Sequence, residues 1–245
     1  SPIVRANGAE SPMHQRANLQ FAAALVLCSA CGPRAPEARE PAPPVAAESS
    51  SGGAQSSLPD AEHYADRLDE KSRDAWQKPE EVVALLDCRP SSTVVDLGAG
   101  TGYFLGYLSE AVGPEGRVLA LDVERSMVDR MYARIDREQL RNVRPDTITA
   151  DDPALGPRSV ARVLGVYTWH HIEGRAGYAA KLRQALRPDG RILIVDFTEE
   201  SPFGPPPAHR LSIDTVRSEL RSAGLHVRVL DETLPHQYVV EGRVR

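Results

Sequence analysis

"VVDLGAGTGYF", residues 94–104, joins an apolar run carrying Asp96 to three glycines at alternate positions, Gly98, Gly100 and Gly102. A glycine-rich turn between a strand and a helix brings backbone N–H groups and a helix N-terminus close to a ligand. The dinucleotide fingerprint is GxGxxG, and the spacing here departs from it. Asp96 also stands two residues before the first glycine, where a carboxylate opposes a pyrophosphate and favours a cation. The stretch predicts the first strand and first helix of an α/β unit, with a cationic nucleoside as the ligand.

Downstream, strand-like and helix-like runs alternate. "RVLALDV" at 117–123 reads as a strand, residues 126–135 as a helix with Met127, Val128 and Met131 inward, and "DTITA" at 146–150 as a weak third strand. "VARVLGVYT" at 160–168, a helix over 178–186 and "GRILIVDF" at 190–197 continue the pattern. Near-continuous apolar strands separated by amphipathic helices predict a parallel sheet covered on both faces. After a Pro-rich loop, a helix over 212–223 stops at Gly224, and two closely joined strands, "LHVRVL" and "QYVVEGRV", predict antiparallel neighbours. Upstream, Pro79 followed by Glu80 and Glu81 marks a helix N-terminus.

The first sixty residues read differently. Residues 1–12 precede Met13 and read as an extension; residues 13–31 combine a polar start with Arg16, an apolar run over 19–28, and the small residues Ser29 and Ala30 before Cys31. That order predicts an export signal. Cys31 after two small residues resembles a bacterial lipoprotein processing site, which implies a lipid anchor at the envelope. A plain signal peptide, or a stretch that is not translated, remains the alternative, and without export the protein is cytoplasmic. Residues 32–60, rich in Pro, Ala, Ser and Gly, predict a tether, and residues 61–245 the globular domain. Cys88 is the one cysteine of that domain, so its core must hold it together without an internal disulfide. A net charge of −5 and no basic stripe argue against nucleic acid as partner.

"VVDLGAGTG" resembles motif I of class I S-adenosylmethionine-dependent methyltransferases, and the resemblance extends over residues 76–245. It implies a Rossmann-like, mostly parallel sheet of seven strands with an antiparallel last strand and helices on both faces, and S-adenosylmethionine as cofactor. By that resemblance Asp96 holds the methionine ammonium, while Gly98, Ala99 and Gly100 let the backbone pass close to the ligand. Asp122, ending the second strand, accepts from both ribose hydroxyls, and Val123 and Met127 pack against adenine. Asp151 accepts from the adenine amino group with the Asp152 backbone beside it; either carboxylate suits the first role. The motif "LRPDGRILIVDF" resembles the family's turn before the fifth strand with Asp189 in place of a glycine, and an Asp-Gly pair supports positive φ at Gly190.

The acceptor is expected beside "VYTWHHIEG", after the fourth strand. Tyr167 and Thr168 are expected against the cofactor, and His170 as the base, with His171, Trp76, His209 and Arg210 as further substrate contacts. Trp76 has an equal claim as a core anchor, and Arg210 as a surface charge. A metal is not expected, because adjacent histidines rarely present both rings to one ion. Three readings follow: a methyltransferase acting on a small molecule, an NAD-type oxidoreductase disfavoured by the glycine spacing, and an anchored module that binds S-adenosylmethionine without turnover. An arsenic-methylating role, which in its family relies on several cysteines, is disfavoured.

Overall fold

A computed structural model describes residues 71–244, so the expected extension, export signal, anchor at Cys31 and tether lie outside the described residues. Seven strands form one sheet: β1 (Thr93–Leu97), β2 (Arg117–Asp122), β3 (Val143–Thr147), β4 (Val160–Val166), β5 (Leu186–Phe197), β6 (His226–Val229) and β7 (Gln237–Arg243), in the order β3-β2-β1-β4-β5-β7-β6. Pairing is parallel from β3 through β5, and β7 runs antiparallel to both β5 and β6. The reversed last strand expected from the short connection after β6 is therefore present. The strand order changes direction between β1 and β4, the position at which open α/β sheets form a ligand crevice.

Each central strand serves two cores, because successive side chains point to opposite faces. In β5, Ile192 and Ile194 join Trp169, Tyr178 and Leu182 on one face, while Leu193 and Val195 join Leu86, Leu105, Leu108 and Met131 on the other. The first face is covered by α5 (Arg175–Ala185) and α6 (Ile213–Ser222); the second by α2 (Pro79–Leu86), α3 (Leu105–Val112) and α4 (Arg125–Glu138), with α1 (Asp74–Gln77) preceding them. Pro79 occupies the start of α2 with Glu80 and Glu81 in its first turn. The Ser212 side chain caps α6 by accepting from the Thr215 N–H.

Two expectations shift. The third strand is at Val143–Thr147 rather than 146–150. It is the sheet edge, bonded only to β2, and its largely exposed side chains leave no alternating apolar signal, while Pro145 is tolerated because one side of the strand needs no partner. In the turn before the apolar stretch of β5, the left-handed residue is Asp189, with φ of 60°, and not Gly190. Gly190 is needed for room: a Cβ there would lie 2.7 Å from the Arg187 carbonyl oxygen.

Candidate functional site

A cavity of about 470 Å³ opens at the carboxyl ends of β1, β2 and β4. Its floor is the glycine turn. Gly98, Gly100 and Gly102 all have positive φ, and at Gly98 a Cβ would stand 2.3 Å from Thr168 Oγ1. Thr168 holds that place by donating to the Leu97 carbonyl at 3.0 Å. The glycine at 98 thus answers a close approach within the protein.

Four N–H groups of the turn are already occupied. Those of Gly98 and Ala99 donate to the Leu121 carbonyl at 2.8 and 3.0 Å, that of Gly102 to Ala99, and that of Gly100 to Asp122 Oδ2 at 2.7 Å. Asp122 Oδ1 accepts from the Glu124 N–H at 3.0 Å. Each Asp122 oxygen retains a second lone pair, so the carboxylate can still accept from a ligand.

Asp96 is a carboxylate left unmatched in the cavity wall. It is buried, it lines the cavity, and its Oδ2 has no hydrogen-bond partner. Burial, with the Asp122 carboxylate nearby, pushes its pKa up to about 7. A buried carboxylate is stable in its charged form only when paired, so this site is complete once a cation with N–H donors enters. S-adenosylmethionine offers such a group in its ammonium, and the residues present fit it.

Val123, Met127, Tyr167 and His171 also line the cavity, together with Ile148, Ala150 and Tyr178, which the sequence did not single out. Desolvation, and the His170 ring 4.2 Å away, hold the His171 imidazole below its ordinary range, although the residue as a whole is exposed. Tyr167 has φ of 56°, its ring stacks on Phe197 at 3.8 Å, and its hydroxyl is buried beside Gln77. Burial keeps that hydroxyl neutral. A bulky residue with positive φ is strained, and such strain is concentrated at functional sites.

Other expected residues are placed elsewhere. Asp151 and Asp152 are exposed and outside the cavity lining; Asp152 accepts from the Ala154 N–H and pairs with Lys181, as a loop aspartate does. Ile148 and Ala150 occupy that stretch of wall instead. Trp76 is buried outside the lining, against Phe203 at 5.1 Å and Tyr167 at 6.3 Å. Gln237 donates to its carbonyl and accepts from Gln77, which locks α1 onto β7. Trp76 is therefore a core anchor behind the cavity. His209 is exposed in the short turn Pro207–His209.

Arg210 is no free surface charge, and it stands outside the cavity lining. Its guanidinium donates to the carbonyls of Thr198, Glu199, Ser201, Phe203 and Pro205, at 2.7 to 3.1 Å. The side chain ties the loop after β5 into one body. That loop presses Phe203 against Trp76 and brings Gly204 so close to Phe197 that a Cβ would stand 2.3 Å from its ring.

His170 sits in the turn Trp169–His171 after β4, outside the cavity lining, with Nδ1 3.0 Å from both carboxylate oxygens of Asp196. Asp196 was missed because nothing local marks it: it is an acid inside an apolar strand, 26 residues from its partner. Arg73, whose guanidinium lies 4.2 Å over the Tyr103 ring, lines the cavity from the described N-terminal side and was missed too. Among the described residues no group of three metal-ligating side chains converges.

Residues 94–190 match the family model described as a methyltransferase domain. A solved S-adenosylmethionine-dependent methyltransferase from Aquifex aeolicus superposes with a TM-score of 0.71 at 28% identity, covering 75% of this chain and 98% of that one. An uncharacterised 37.1 kDa protein of a Streptomyces fradiae transposon is 34% identical over 146 residues, which are 57% of this chain and 40% of that protein. Nocamycin O-methyltransferase of Saccharothrix syringae is 29% identical over 133 residues, 54% of this chain and 46% of that enzyme. The chain thus spans less than half the length of these curated relatives.

Proposed function

From the premise that this chain carries a class I S-adenosylmethionine-dependent methyltransferase domain, we propose that the protein transfers a methyl group from S-adenosylmethionine to a small-molecule acceptor. The observation that carries the reading is Asp96, a buried carboxylate in the cavity wall with an unmatched oxygen. It receives the ammonium of the methionine moiety. Asp122 accepts from the ribose hydroxyls, and Val123, Met127 and Ile148 supply an apolar seat for adenine. The bound cofactor supplies an electrophilic methyl group on a sulfonium. The protein's part is then to position an acceptor in line with that methyl and to exclude water, from which most of the acceleration can come.

The alternatives have less support. An NAD-type site presents the N–H groups of its glycine turn to a pyrophosphate, whereas those of Gly98, Ala99, Gly100 and Gly102 are used by protein acceptors beside two carboxylates. Calorimetric titration with S-adenosylhomocysteine and with NAD separates these readings, and NAD binding without S-adenosylhomocysteine binding sinks the proposal. Release of S-adenosylhomocysteine with a candidate acceptor separates an enzyme from a non-catalytic binder. The sequence further supports export and lipid attachment at Cys31. Labelling with a palmitate analogue tests that, and a label that persists in Cys31→Ser overturns it.

A further inference from the structure

We propose that the purine of the cofactor is read by the Tyr178 hydroxyl rather than by an acid, and that the site therefore binds 6-oxopurine nucleoside thioethers about as well as adenosyl ones. This rests on the methyltransferase reading above. Tyr178 lines the cavity, is 4% exposed, and its hydroxyl takes part in no hydrogen bond among the described residues. Its ring packs edge-on to Trp169 with centroids 6.5 Å apart, and Trp169 is itself held by donating to Glu219 at 2.8 Å. The carboxylates that bear on the hydroxyl are those of Asp152 and Asp151, which puts it at the Ile148 and Ala150 end of the cavity. That end, with Val123 and Met127, is the seat assigned above to the base.

The two acids of this stretch are otherwise engaged. Lys181, one turn further along α5 than Tyr178, donates to the Asp151 carbonyl at 2.6 Å and pairs with the Asp152 carboxylate at 3.2 Å. Asp152 also accepts from the Ala154 N–H at 2.8 Å. The loop after β3 is thereby fastened to α5 with both carboxylates outside the lining. Val123, Met127, Ile148 and Ala150 are apolar, and Glu124 beside them is exposed to water. The buried side chain at this wall able to form a directed hydrogen bond is that of Tyr178.

Replacing an acid by a phenol changes which bases fit. Burial pushes the Tyr178 pKa above its ordinary value and keeps the hydroxyl neutral, so it can donate or accept, whereas a carboxylate only accepts. Adenine presents an amino donor at C6 beside an acceptor at N1; a 6-oxopurine presents a carbonyl acceptor at C6 beside an N1–H donor. Facing an acid, the C6 carbonyl sets acceptor against acceptor, and a site built that way rejects the base. A hydroxyl turns its hydrogen to suit either edge, accepting from the amino group of one and donating to the carbonyl of the other.

The test is calorimetric, on the full chain, with S-adenosylhomocysteine and S-inosylhomocysteine as probes. If the unmutated protein binds neither, the methyltransferase reading itself fails, and this assignment with it. Otherwise the two affinities should agree within about fivefold, and a loss of more than about 30-fold for the inosyl probe overturns the assignment. That comparison needs no variant, so it decides even where a substitution fails to fold. Tyr178→Phe keeps the ring and removes one hydrogen bond, so both affinities should fall about fivefold. Asp151→Asn should leave both within about twofold. Unchanged affinities in Tyr178→Phe, or a loss confined to Asp151→Asn, overturn the assignment. Nitrogen-15 NMR of S-adenosylhomocysteine labelled at its amino group then separates contact from shape. The bound amino resonance should move between the unmutated protein and Tyr178→Phe and stay in place in Asp151→Asn; a resonance that moves only in Asp151→Asn, or in neither variant, overturns it.

Discussion

The two halves of the crevice are built by different means. The donor half, β1 to β2, is made within residues 93–122: its glycine turn is closed by backbone hydrogen bonds to Leu121 and by Asp122, 22 residues from Gly100. The acceptor half of the proposed site is backed, outside the cavity lining, by side chains reaching across the fold: His170 to Asp196, Gln77 to Gln237 over 160 residues, and Arg210 back to five carbonyls of one loop. A backbone-built site needs a fixed local pattern and so constrains the sequence tightly. One built by side chains can be re-formed with other residues, which suits the half that must change when the acceptor changes.

The largest effect is expected where the two halves touch. Gly98→Ala adds a Cβ 2.3 Å from Thr168 Oγ1 at a φ of 66°, so it combines left-handed strain with overpacking. Together these cost about 3 kcal/mol, a fall in Tm on the order of 10 °C. Thermal unfolding measures it. Thr168→Ala in the same chain should recover only part of the loss, because Thr168 Cβ is itself 2.9 Å from the added carbon. An unchanged Tm in the single variant would separate the halves.

Asp96→Asn should act on the donor half alone. Loss of one charge-assisted contact to the ammonium corresponds to about 2 kcal/mol, roughly 30-fold in affinity for S-adenosylhomocysteine, read by calorimetry; unchanged affinity would remove Asp96 from the site. The free protein should respond oppositely, becoming more stable at pH 8 when the unmatched carboxylate is gone. Because burial raises the Asp96 pKa to about 7, its stabilising contribution is complete below the unfolded-state value near 4 and is lost as pH rises through 7. Binding of the ammonium below pH 7 should therefore release a proton, detectable as buffer-dependent heat, whereas at pH 8 it should not.

Arg210→Ala should do the reverse, loosening the acceptor half with little effect on the donor. Freeing the Thr198, Glu199, Ser201, Phe203 and Pro205 carbonyls should raise proteolytic cleavage within 198–209. Methyl transfer to an accepted small-molecule probe is expected to fall about 10-fold through misplacement, while S-adenosylhomocysteine affinity stays within about threefold. Equal losses in both would mean that the halves are one unit. Arg210→Lys should not rescue, since a point charge cannot span a fork of acceptors.

The same division explains what could be read from residues alone. Apolar strand runs, Pro79 and Gly224 are local signals, and they yielded the alternating strands and helices and the antiparallel pair at the end; the seven-stranded sheet and Asp122 beside Asp96 came from the resemblance carried by the glycine motif. Edge strand β3 was displaced in the reading because an edge needs no alternation of buried residues. Asp151 was assigned from motif spacing, but the chain turns at Asp152 to cap Ala154 and sends Ile148 and Ala150 into the wall. Asp196 and the true task of Arg210 depend on partners distant along the chain, which no local pattern specifies.

The smallest effect is expected far from either half, in the turn before the apolar stretch of β5. Asp189 holds the left-handed conformation and pairs with Arg89 at 2.8 Å, both side chains being more than half exposed. Asp189→Gly relieves a strain of about 1 kcal/mol, but gives up an exposed ion pair worth at most about that much, and frees the unfolded chain by about 0.5 kcal/mol. The net change should lie within about 1 kcal/mol of zero, a Tm shift of no more than about 3 °C. Gly190→Ala, whose Cβ would meet the Arg187 carbonyl at 2.7 Å and Leu186 Cβ at 2.9 Å, should lower Tm by more. If Asp189→Gly proved the more damaging of the two, neither the left-handed strain at Asp189 nor the crowding at Gly190 would be what sets the stability of this turn.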